Sequence, residues 1–164
     1  MATTLKNLSE YTRSGFGDLT QTRVGIVVSE WNNEITNALF QGAFGTLVEE
    51  GMNPQNIIVK TVPGSFELTH GAQQLLHSTQ DTIYAFDAVI CLGCVIQGET
   101  RHFEFICQAA ANGITNLSIK YNKPVVFGVL TTDNEQQALD RSGGKHGNKG
   151  VEAAITALKM MIKR

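Results

Sequence analysis

Ala88-Val89-Ile90-Cys91-Leu92-Gly93-Cys94-Val95-Ile96 is apolar along its whole length. A strand with one wet face alternates apolar and polar residues; a strand covered on both faces does not. The run therefore predicts a central strand over 87–96, buried on each side. Upstream, Val24-Gly25-Ile26-Val27-Val28 reads as a second buried strand, and Ile57 to Val62 as a third, ended by Pro63. Downstream, Val125 to Leu130 follows Pro124 and reads as a fourth. Helical patterns lie between them. Asn33 to Glu50 puts Ile35, Ala38, Leu39, Ala43, Leu47 and Val48 on one face, with Gly51 as its stop. Glu67 to Ser78, Arg101 to Lys120, a short helix from Asp133 or Asn134 to about Arg141, and Asn148 to Ile162 complete the set. Strands alternating with helices predict an α/β fold, an open, doubly wound αβα sandwich with right-handed crossovers. Cys91 and Cys94 are three apart on a strand and so face opposite ways. They read as buried small hydrophobes rather than a disulfide or a metal pair.

The 164 residues suit one domain, expected at 21–164. Residues 1–20 fit no element and read as an N-terminal arm, or a strand lent to a neighbour's sheet. Hydrophobic residues make up 42% and charged ones 17%, against roughly 25% charged in average domains. That is the composition of a folded chain. Thirteen Lys and Arg against fifteen Asp and Glu leave −2, no electrostatic basis for nucleic acid or an anionic membrane as partner. The scarcity of charge points to surface hidden in an oligomer. Met1 to Leu8 lacks a signal-peptide core, and no run approaches the ~20 apolar residues of a membrane span. Three Cys in no disulfide spacing fit a reducing compartment, so the expectation is a cytoplasmic protein.

In open α/β sheets ligands bind beyond the carboxyl ends of the strands. Four unusual segments fall there: Ser29 to Asn32, Pro63 to Glu67, Gln97 to His102 and Thr131 to Asn134. His102 opens a helix at that edge. Imidazole both gives and takes protons near neutral pH, yet a surface His at a helix start is an equal reading from position alone. Gly98-Glu99-Thr100 offers free N–H groups to an anion, or is an ordinary turn capped by Thr100. Trp31 can stack on a flat heterocycle or simply pack. Glu67 can accept from ligand hydroxyls or face the helix dipole. Gly143 to Gly150 (GGKHGNKG) breaks the P-loop spacing. It reads as a flexible break, or with Arg141 as a presenter of cations to phosphate. His70 and His77 lack metal-ligand spacing with any other His, so no metal is expected.

Five segments together resemble the 6,7-dimethyl-8-ribityllumazine synthase family. They are Gly25 to Asn32, Val62 to Glu67, Gly98 to Phe103, Phe127 to Thr132 and Gly144 to Gly150. The resemblance runs from about Arg23 to Met161. It implies a three-layer αβα sandwich with a four-stranded parallel sheet in the flavodoxin-like order 2-1-3-4. It further implies condensation of 5-amino-6-(D-ribitylamino)uracil with 3,4-dihydroxy-2-butanone 4-phosphate. The products are 6,7-dimethyl-8-ribityllumazine, phosphate and water, with no cofactor or metal. The family's stacking aromatic falls on Trp31, its ribityl- and pyrimidine-binding residues on Ser65, Phe66, Glu67, Cys94, Val95 and Ile96, and its pocket Phe on Phe127. Its proton-transfer His falls on His102, its phosphate-side turn on Glu99 and Thr100, and its phosphate-binding cations on Arg141 and Lys149. Gln97 and Glu99 depart from the family's usual Arg and Ala, which weakens the positive field around the phosphate.

The family builds pentamers with a site between adjacent subunits, so Arg141 is expected to serve a neighbour. The Gly-rich segment lacks the insertion of the pentamer-only branch, which leans the expectation toward a 60-subunit shell, with riboflavin synthase as a partner that the resemblance suggests. Two other readings compete. One is a non-catalytic lumazine- or riboflavin-binding shell, against which His102 and Arg141 speak. The other is a flavodoxin-like flavoprotein, against which the absence of a Ser/Thr-rich loop after the first strand speaks.

Overall fold

A computed structural model describes residues 15–78 and 85–161. Four parallel strands, β1 (Val24–Ser29), β2 (Ile57–Val62), β3 (Ala88–Ile96) and β4 (Val125–Thr132), form one sheet in the order β2-β1-β3-β4. The expected order 2-1-3-4 is the one observed. Helices α1 (Asn33–Glu49), α2 (Leu68–Ser78), α3 (His102–Tyr121), α4 (Glu135–Arg141) and α5 (Lys149–Met161) cover it.

Side-chain alternation along the strands builds two cores. Val24, Ile26 and Val28 of β1 with Ile90, Leu92 and Cys94 of β3 face α1 and α5. Val27, Val89 and Cys91 face α2 and α3. This two-sided burial is why β3 is apolar throughout. It also puts Cys91 and Cys94 on opposite faces, as the spacing predicts. β2 is different: Ile58, Val59 and Thr61 are exposed, because it forms an edge of the sheet.

Helix ends follow local chemistry. In α1, Ile35, Leu39, Ala43 and Leu47 recur every four residues and are buried. Gly51, at φ +102°, ends that helix as its sequence predicts; its N–H donates to the Val48 carbonyl, and that of Met52 to Leu47. Asn122, also left-handed, ends α3 in the same way. Asn134 caps α4 by accepting from the Gln137 N–H at 3.0 Å.

Two segments depart from expectation. Gly143 to Gly150 is no flexible break: β5 (Ser142–Gly144) and β6 (Gly147–Asn148) pair as a hairpin. Lys145 pairs with Asp140 at 2.9 Å, and the His146 N–H donates to the Asp140 carbonyl. The Lys145 contact, then the Gln136 amide, holds the Asp140 carboxyl below the usual carboxylate range. Of the arm expected at 1–20, residues 1–14 lie outside the described residues. Residues 15–20 form no strand; Leu19 is buried in the chain's own core and Phe16 packs against it. Among the described residues no helix is long and apolar enough to cross a membrane.

Candidate active site

The order β2-β1-β3-β4 makes the chain leave β1 in one direction and β3 in the other. A crevice forms where the two paths diverge. It opens beyond the carboxyl ends of β1, β2 and β3 with a volume of about 450 Å³, in the range of small-ligand sites. Trp31 and Asn32 line it from the first strand's loop, Gly64 to Glu67 from the second, and Cys94 to Ile96 from the third. His102 and Ile106 close it from α3.

One carbonyl ties three walls together. The Asn32 Nδ2 donates to the Cys94 carbonyl at 3.1 Å, and the Ser65 hydroxyl lies 3.5 Å from the same oxygen. Asn32 reaches it from a left-handed backbone at φ 58°, a conformation that Asn tolerates better than most residues. Gly93 keeps this junction close: a Cβ there would lie 2.6 Å from the Ser65 hydroxyl oxygen. The Glu30 and Trp31 N–H groups donate to the Val62 and Pro63 carbonyls, which extends the β1–β2 ladder and fixes the indole beside Gly64. Trp31 is nonetheless 68% exposed, its ring free to meet a flat ligand. Glu67 uses one carboxylate oxygen to accept from the Gly64 N–H at 3.0 Å. It therefore serves the turn and keeps a second oxygen for a ligand.

Burial pushes the Cys94 thiol up to about 11 and the Cys91 thiol to about 12. Both stay protonated at neutral pH, so neither is a thiolate nucleophile. His102 is exposed at the first turn of α3. No side-chain hydrogen bond caps that helix at Arg101; the His102 backbone N–H donates to the Thr100 hydroxyl at 3.4 Å and the Glu104 N–H to the Arg101 carbonyl at 3.1 Å. The His102 contact is long, and the positive end of the α3 dipole faces this edge of the crevice.

Trp31, Ser65, Phe66, Glu67, Cys94, Val95, Ile96 and His102 all line one crevice. Glu99 and Thr100 are exposed and lie outside its lining. Thr131 to Asn134 also stay outside, because β4 is the far edge strand and its chain turns into α4. Phe127 sits on β4 facing the α2–α3 core. Arg141 and Lys149 flank the hairpin instead, held by other groups of their own chain: Arg141 donates to the His146 carbonyl at 2.6 Å and pairs with Glu152, which also takes Lys149. Sequence reading gave Asn32 no role beyond its place in the Ser29 to Asn32 segment and missed Ile106 as a wall residue. Ile106 was accessible from its i+4 spacing to His102, and Asn32 from being an Asn at a strand-to-helix turn.

The model of the family described as 6,7-dimethyl-8-ribityllumazine synthase matches residues 21–164. A protein of that name from Cytophaga hutchinsonii is 58% identical over 163 residues, covering 99% of each chain. Another from Parabacteroides distasonis is 51% identical over 161 residues, 98% of each. A third, from Flavobacterium johnsoniae, is 53% identical across this whole chain and 84% of its own length.

Proposed function

The chain belongs to the 6,7-dimethyl-8-ribityllumazine synthase family, and on that premise we propose which of its residues perform the family's reaction. The enzyme condenses 5-amino-6-(D-ribitylamino)uracil with 3,4-dihydroxy-2-butanone 4-phosphate in riboflavin biosynthesis. An amine attacks a ketone, the carbinolamine loses water, phosphate is eliminated and the ring closes. Trp31 stacks on the pyrimidine. Ser65, Phe66 and Glu67 with the ends of β3 at Cys94, Val95 and Ile96 hold its edge and ribityl chain. His102 moves the protons of the carbinolamine and elimination steps. Much of the acceleration comes from holding two soluble reactants together.

One observation shapes this reading: among the described residues no Lys or Arg lines the crevice, although one substrate is a phosphate ester. The α3 N-terminus, with the Glu99-Thr100 turn, supplies part of the attraction. The rest comes from Arg141 and Lys149 of a second copy, which also brings Phe127 over the pyrimidine. Exposed Trp31, Phe66 and Phe105 near the crevice suit a face that another subunit covers. The assembly is a pentamer, and twelve pentamers form a shell of about a megadalton. Sedimentation checks this; a lone pentamer removes the shell.

Mixing the two substrates with the protein should develop lumazine absorbance and fluorescence; none would leave a binding-only shell. Arg141→Ala should raise the KM for the butanone phosphate about tenfold and spare that for the pyrimidine, since a charge-assisted contact is worth about 1.5–3 kcal/mol. Assemblies mixed from His102→Ala and Arg141→Ala chains should regain intact sites at about a quarter of positions. No recovery on mixing would place both groups in one chain's site.

A further inference from the structure

Glu152 sits in the first turn of α5, its side chain 12% exposed, and divides its carboxylate between two cations. Its Oε1 is 2.7 Å from the Arg141 Nη2 and its Oε2 is 3.2 Å from the Lys149 Nζ. Arg141 ends α4 and Lys149 opens α5, so this carboxylate bridges the two ends of the hairpin between them. The His146 carbonyl fixes the guanidinium from the other side. The Oε1 contact is ionic without an aligned hydrogen bond. Most of the five guanidinium N–H donors therefore remain uncommitted.

We propose that Glu152 is a positioning residue for the phosphorylated substrate. It holds Arg141 and Lys149 side by side, so that the phosphate meets a preset pair of cations. The proposal rests on the reading above, in which these two cations serve the crevice of an adjacent copy. Ordering a free Arg and a free Lys on binding costs side-chain entropy, and a carboxylate that orders them beforehand removes that cost. Its negative charge opposes the phosphate, so the two effects compete. Burial decides between them: Arg141 is 13% exposed. A guanidinium that deeply covered does not keep its place once its counter-ion is gone. Position therefore outweighs charge.

Glu152→Gln keeps the shape, loses the charge and cannot satisfy both cations. Its KM for the butanone phosphate should rise about fivefold while the pyrimidine KM stays near that of the unaltered protein, even though loss of a covered counter-ion also lowers the melting temperature. Inorganic phosphate, used as a competitive inhibitor, should weaken by the same factor. In an Arg141→Ala background Glu152→Gln should add less than about twofold, since it acts mainly through Arg141. A Glu152→Gln KM that is unchanged or lower overturns the proposal, and so does a full fivefold rise without Arg141. If Arg141→Ala itself leaves the KM unchanged, the phosphate reading fails and this proposal with it. If Arg141→Ala raises it and Glu152→Gln does not, this proposal alone fails.

Discussion

Gly150→Ala is expected to destabilise the chain by about 3 kcal/mol or more, at the upper end of overpacking costs. A Cβ on Gly150 would lie 1.8 Å from the Leu39 carbonyl oxygen and 2.7 Å from its carbon. Those atoms belong to the backbone of α1 and cannot rotate away. Asn148 locks the same contact: its amide donates to the Ala38 and Ser142 carbonyls and its Oδ1 accepts from the Gly150 N–H at 2.7 Å. An added methyl must push α5 off α1 and loosen the hairpin that joins Arg141 to Lys149. In a chain of this size the loss should lower the melting temperature by about 10 °C. Gly45→Ala is the control. It lies on α1 as well, but a methyl added there would meet nothing within 4 Å. It should stabilise by about 0.5–1 kcal/mol through the unfolded state. Equal falls in both variants would mean that the close α1–α5 approach is not the cause.

His102→Ala should lower turnover by about 10²-fold or less and leave both KM values nearly unchanged. The crevice walls are tied through the Cys94 carbonyl, not through His102, so the site keeps its shape when the imidazole is removed. Binding and alignment of the two reactants then persist, and only the proton traffic slows. Single-turnover measurements separate the two: a slow chemical step after normal binding is the expected outcome. A variant with the unaltered rate would remove His102 from the mechanism. A variant whose KM values rise as much as its rate falls would make His102 a wall of the site rather than a proton carrier.

Much of this was legible in the chain because its signals are local. Burial on both faces of β3 is written as an unbroken apolar run, and the end of α1 as Gly51, since each depends on neighbours a few residues away. Ile106 was readable too, one helical turn from His102. Asn32 was harder: its left-handed turn is a local property, but its partner carbonyl lies 62 residues further along. The Gly-rich segment misled for a related reason. Glycines permit a loop, and only the contacts that Asp140 and Asn148 make in the folded chain turn it into a hairpin.

The order of the residues alone determined the αβα layering, the strand order that the family resemblance carries, and the set of side chains available for chemistry. Tertiary structure decided how those side chains are divided. It gathered Trp31, Ser65, Glu67 and His102 at one crevice and left Phe127, Arg141 and Lys149 elsewhere, with both cations already paired to Glu152. The physical reason is range: propensity and periodicity act over a few residues, whereas charge pairing and close packing act between elements that meet only once the sheet has formed.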